Sequence, residues 1–94
     1  MLNLKETFDE FDDEYREFGR IQNPRHPRPD ICAFLMLHDL LGGKGDMVSG
    51  ASHDQIYLDV DEEELAEKAD RGFIMDLARC GVRYDEDFGI VMFA

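Results

Sequence analysis

Residues 53–94, HDQIYLDVDEEELAEKADRGFIMDLARCGVRYDEDFGIVMFA, alternate between strand and helix patterns, and that alternation decides the fold. Ile56, Leu58 and Val60 alternate with Gln55, Tyr57 and Asp59, the period of a half-buried strand. Asp61 ends that strand and stands three residues before Glu64, the spacing of a capping box. The acids at 61–64 also face the positive end of a helix dipole, so a helix is expected to start here. Gly72 inside a helix costs about 1 kcal/mol relative to Ala, and Asp70 just before it can cap a new one. The pattern therefore predicts two short helices, 62–69 and 71–80, bent at Asp70. Leu65, Ala66, Ala69, Phe73, Ile74, Leu77 and Ala78 face inward. Gly81 is free to adopt the left-handed conformation that closes a helix. Residues 82–84 are then placed to pair with 89–93 across a turn at 85–87.

Moving toward the N-terminus, GGKGDMVSGAS at 42–52 reads as a glycine- and serine-rich loop, with Met47-Val48 as a short strand. DICAFLMLHDLL at 30–41 is apolar at nearly every position except His38 and Asp39. It is expected to be a core helix buried on most sides, capped by Asp30 and closed by Gly42. RIQNPRHPRP at 20–29 holds all three prolines and three arginines with no acid. Proline holds itself and its predecessor out of the helical region, so this segment reads as an extended linker whose arginines pair with neighbouring carboxylates. Pro24 and Pro27 have the spacing of a polyproline ligand, but no arginine sits at the matching offset.

Leu4, Phe8, Phe11, Tyr15 and Phe18 recur at 4, 3, 4, 3, a heptad-like stripe that predicts one amphipathic helix over 1–19 with Gly19 as terminator. The positions between them carry Glu6, Asp9, Glu10, Asp12, Asp13, Glu14 and Glu17. The whole predicts an α+β fold in one domain. Three or four short antiparallel strands form a small sheet, with three to four helices mainly on one face; helix 1–19 and linker 20–29 precede an α-β-α-β core at 30–94.

A chain of 94 residues with 44% hydrophobic and 11% aromatic residues has globular composition and can bury one modest core. Its 22 acidic and 10 basic side chains give a net charge of −12. Such a surface repels nucleic acid and anionic membranes, because contact with phosphates adds repulsion instead of releasing counterions. A basic protein is the expected partner. Cys32 and Cys80 both lie in apolar helical contexts and read as buried, reduced thiols. The chain opens with no charged-then-apolar leader, and no apolar run reaches the about 20 residues that span a bilayer, so a cytoplasmic setting is expected.

Residue by residue, the sequence argues against catalysis. His26, His38, His53, Cys32 and Cys80 form no tight ligand pair of the C-x-x-C or H-x-x-x-H kind, so no metal site is expected. His38 reads instead as a hydrogen-bonded residue near the end of a helix, and His53-Asp54 as a turn into a strand. The D-x-D pairs 59/61 and 85/87 lack the glycine and glutamate of a calcium loop. Gly42-Gly43-Lys44-Gly45 follows a helix and no Ser or Thr follows its lysine, so nucleotide hydrolysis is rejected. No catalytic residue and no cofactor is expected. An enzyme would require a hidden pocket around His38 or His53.

HDQIYLDVD, then LARCGVRYDED, then VMFA resemble the pattern of small bacteriophage and bacterial proteins of unknown function. The resemblance implies a bacterial or phage cytosolic setting, in which small acidic proteins are often inhibitors of nucleic-acid-handling machinery. From charge alone, the candidate partner-binding residues are the seven acids at 6–17 together with Asp59, Asp61, Glu62, Glu63 and Glu64. Carboxylates in a row on rigid elements can imitate duplex phosphates and occupy a basic groove. The alternative is an assembly module that self-associates through Phe8, Phe11, Tyr15 and Phe18.

Overall fold

The computed structural model describes residues 1–42, 47–52 and 54–93. Its scaffold is the strand–helix–helix–hairpin segment read from the sequence. Strand β2 (Gln55–Leu58) leads through Asp61 into helix α3 (Glu62–Lys68), and Asp70 starts helix α4 (Arg71–Arg79). Both aspartates cap through their own carboxylates. Asp61 Oδ1 accepts from the Glu64 amide at 3.1 Å, and Asp70 Oδ1 from the Phe73 amide at 2.8 Å. Glu64 does not complete a capping box, because its carboxylate binds Lys68 one turn on at 2.7 Å. Replacing either cap by Ala removes the partner of a helix-start N–H. Asp61→Ala and Asp70→Ala are each expected to lower the free energy of unfolding by about 1 kcal/mol, with the Asn variants close to wild type in urea titration.

Gly81 takes φ 94° after α4 and turns the chain into the hairpin of β3 (Val82–Asp85) and β4 (Gly89–Phe93). β4 then inserts beside β2. With β1 (Val48–Ser52) on the far side of β2, the antiparallel sheet has the order β1-β2-β4-β3. The α3–α4 pair thus links β2 to β3 over the intervening β4. Register sorts the side chains by face. Ile56, Met92 and Val82 align in one row beside Leu58 and Ile90, facing Leu65, Ile74, Leu77 and Leu37 in the core. Tyr57, Val91 and Arg83 align in the next row and point to the opposite face, as a period of 2 demands. The chain has the expected α+β fold, with its helices on one side of the sheet.

Four local expectations change. The short strand foreseen at 47–48 is the five-residue β1, which pairs with β2 from Val48↔Leu58 to Ser52↔Gln55; Asp54, between the last pair, takes φ 63°. β1 is an edge strand, and its sequence VSGAS contains neither charge nor proline.

The amphipathic helix expected over 1–19 stops early. Helix α1 covers Leu4–Glu10, and 3₁₀ turns follow at Asp12–Glu14 and Phe18–Arg20, the second containing Gly19. Asp9, Glu10, Asp12 and Asp13 would crowd the negative end of the dipole with no basic residue in the last turn, which disfavours continuation. Arg16 turns left-handed at φ 66° and its amide donates to the Ala78 carbonyl at 2.9 Å, folding this segment against α4.

The third change concerns helix α2 (Pro29–Leu41). Its N-cap is Arg28, with Pro29 in the first turn; Asp30 does not cap but accepts from the Ile31 amide at 2.9 Å. The fourth is an open strip on α2. Cys32, Ala33, Met36 and Leu37 are buried and Phe34, Leu40 and Leu41 pack against the core, so most sides are covered as expected, whereas Leu35 is 38% exposed and His38 and Asp39 face out. With α3 and α4 also contributing to one layer over a small sheet, α2 has no second layer to cover its far side. No helix among the described residues is long and apolar enough to cross a membrane.

Candidate functional site

The charged residues divide into those consumed by the protein itself and those left outside. Arg25 pairs with Asp39, and Arg28 with Asp30, so two linker arginines bind nearby carboxylates as expected. Arg20 bridges Glu14 at 3.0 Å and Glu17 at 3.7 Å. Arg79, largely covered, meets Glu14 at 3.1 Å and Asp76 at 3.0 Å. Arg71 holds Glu10 at 2.5 Å, Lys68 holds Glu64, Lys5 holds Glu86 and Arg83 holds Asp85.

Of the twelve carboxylates singled out by charge, Glu10, Glu14, Glu17 and Glu64 are therefore in internal pairs, and Asp61 is spent on its helix. Glu6, Asp9, Asp12, Asp13, Asp59, Glu62 and Glu63 are exposed and have no ion pair among the described residues. The N-terminal residues reach the second acidic stretch. The Leu2 amide donates to the Ala66 carbonyl at 3.0 Å, and Lys5, Glu62, Glu63 and Tyr84 line one shallow hollow there. Asp9, Asp12 and Asp13 lie at the other end of α1, toward α4.

The aromatic stripe is turned inward. Leu4 and Phe8 are each 6% exposed, Phe11 and Phe18 pack against the same core, and Tyr15 is half-buried. The breaks in the expected helix make this possible by wrapping the stripe around α4. Phe11 also lies under the Arg71 guanidinium, 5.7 Å from ring centre to cation.

Phe88 was missed by sequence reasoning. It follows the β3–β4 turn, is 58% exposed and stacks on Tyr57 with ring centres 4.6 Å apart and planes 12° from parallel. The turn that presents it is held by Asp85, whose Oδ1 accepts from the amides of Asp87 at 2.8 Å and Phe88 at 3.1 Å. The available signal was the aromatic between an acidic turn and Gly89: a large apolar side chain where turn chemistry calls for a polar one.

The titrating groups set the pH range of stability. Hydrogen bonds from Arg20 and then Arg79 hold the Glu14 carboxyl below its usual value. The Asp87 amide leads the lowering of Asp85. Both groups stabilise the fold above the ordinary carboxyl range, and that contribution is lost as pH falls below this range toward their lowered values. Burial, followed by the neighbouring Cys32 thiol, pushes the Cys80 thiol up. Its contribution is complete below the ordinary thiol value and begins to be lost as pH rises past it. Both cysteines are free and buried. Native protein at pH 8 is accordingly expected to react with a thiol reagent at least about tenfold more slowly than urea-unfolded protein, and urea midpoints should plateau between these two limits.

An open hollow of about 390 Å³ is lined by Arg16, Pro29, Asp30, Ile56, Arg79, Cys80 and Gly81, and His38 is not part of its wall. His38 stands exposed on α2, while His26 Nδ1 accepts from the Arg28 amide at 3.1 Å. His53 and the Gly43–Gly45 part of the glycine-rich loop lie outside the described residues. Among the described residues, no three His, Cys, Asp or Glu side chains are grouped to hold a metal ion. No family model matches the chain, and neither the curated proteins nor the solved structures include a match.

Proposed function

We propose that this is a non-enzymatic acidic protein that binds the basic surface of a partner protein, acting as a nucleic-acid mimic against a nucleic-acid-binding protein in a bacterial or phage-infected cytoplasm. One observation carries the reading. Lys5, Arg20, Arg25, Arg28, Lys68, Arg71, Arg79 and Arg83 are drawn into internal pairs, while Glu6, Asp9, Asp12, Asp13, Asp59, Glu62 and Glu63 stay exposed and without ion pairs among the described residues. Carboxylates carried on an ordered backbone present a fixed pattern of attachment points to a cationic groove, so binding need not order the chain that bears them.

The test is affinity capture from a bacterial lysate at low and high salt, with the recovered proteins identified by mass spectrometry. Wild type is expected to recover a nucleic-acid-binding protein that duplex DNA competes off. Its affinity should fall by about tenfold or more between 50 and 300 mM salt, as screening of an extended charged interface requires. Reversing Asp9, Asp12 and Asp13 to Lys should abolish the capture without changing the fold, since all three are exposed. Capture that is insensitive to salt and to these reversals would sink the proposal.

A further inference from the structure

The helices cover one face of the sheet, and the other carries the Tyr57–Val91–Arg83 row. Val91 is 0% exposed although it lies outside the main core. Tyr57 leans over Gly50, its Cδ2 at 3.2 Å from where a Cβ would stand there, and its hydroxyl meets Ser52 Oγ. Phe88 lies flat on Tyr57. One face of the Phe88 ring is therefore occupied, and the other accounts for its 58% exposure.

The ring is held rigidly on both flanks, by the stack and by the Asp85-bound turn. Acids stand near it, and the bases at the same turn are already paired, Lys5 with Glu86 and Arg83 with Asp85. Asp87 precedes it in the turn, and from α3 the Glu62 Oε2 lies 2.8 Å from the position of a Cβ on Gly89, the next residue. Neither Asp87 nor Glu62 has an ion pair among the described residues. A fixed aromatic face bordered by uncommitted carboxylates matches one chemical group best: a guanidinium, planar enough to stack on the ring and able to donate sideways to a carboxylate.

We propose that Phe88, with Asp87 and Glu62 beside it, is the docking platform for an arginine side chain of the basic partner. This rests on the partner reading above and gives it an anchor. The net charge of −12 argues against a second copy of this chain, or a stacked nucleotide base, as the occupant.

The test titrates wild-type protein with an arginine–glycine decapeptide and its lysine counterpart, following the Phe88 and Tyr57 ring protons by NMR. The arginine peptide is expected to bind about two- to fivefold more tightly than the lysine peptide, the size of an exposed cation–π contact, and to shift those ring signals. Phe88→Tyr keeps that preference. Phe88→Leu, which retains apolar bulk, removes it, and unchanged thermal melts show that the fold is intact. If both peptides bind equally and Phe88→Leu changes nothing, while Asp12→Asn with Asp13→Asn weakens both, the platform is overturned and the basic-partner reading stands. If neither peptide binds at low salt, both fall. Shifts of the Phe88 ring by a single-stranded oligonucleotide instead of the peptides would also overturn the platform.

Discussion

Leu37→Ala lowers the free energy of unfolding by about 3 kcal/mol, while Leu35→Ala, two residues away in the same helix, costs well under about 1 kcal/mol. Leu37 is 0% exposed and sits in the core with Cys32, Leu65 and Ile74, so truncation removes apolar burial and leaves a cavity that its neighbours fill only in part. Leu35 is 38% exposed and loses contacts that water replaces. Urea titrations of the two variants would measure the contrast. Equal losses would mean that α2 is enclosed all round, as its composition alone implies. For a domain of this size, a 3 kcal/mol loss is a large part of the total, since small domains are stable by only about 5–15 kcal/mol.

The second large effect is at the joint between α4 and the hairpin. Gly81 holds φ 94° and its amide donates to the Ala78 carbonyl at 2.9 Å. A Cβ in this region meets the backbone, so Gly81→Ala is expected to cost about 1–2 kcal/mol. That is more than either cap deletion, because the strain sits where the chain must turn to bring β3 beside β4. Gly19→Ala is the matched control. Gly19 has an ordinary φ and open space where a Cβ would go, and it should be neutral or slightly stabilising. Thermal denaturation of the two variants separates backbone strain from a general dislike of larger residues.

Much of the scaffold was legible because local rules and tertiary packing agree there. Asp61 and Asp70 cap as their positions before apolar-periodic runs imply, Gly81 turns the chain, and the inward set from Leu65 to Ala78 packs into the core. The reading failed where local signals were overridden. The stripe from Leu4 to Phe18 has helical spacing, yet the carboxylates between its members penalise a continuous helix and the Arg16–Ala78 bond rewards a break. In α2, composition suggested burial on most sides, which Leu35 alone among its apolar residues escapes, because the rest of the chain supplies no second layer there.

The candidate site was half legible. Charge located Asp9, Asp12, Asp13, Glu62 and Glu63, but no local pattern could show that Glu14 would be claimed by Arg79 from 65 residues away. The exposed stack of Phe88 was hidden for the same reason, since its partner ring, Tyr57, lies on another strand.

The position of β1 gives the protein's acidity a second consequence, in colloidal behaviour. An uncharged edge strand carries a free row of amides and carbonyls that a neighbouring molecule's edge can join. Many proteins guard such a strand with an inward lysine or a proline, and VSGAS has neither. Here the guard is the electrostatic field of the whole molecule: at neutral pH, mutual repulsion keeps two such edges from meeting. That protection fades as the pH approaches the isoelectric point near 4.4, while the Glu14 and Asp85 carboxylates, held below their usual range, still keep their networks there. Edges lose their guard in that narrow acidic range before these networks are lost, and there this chain is most exposed to strand-to-strand association.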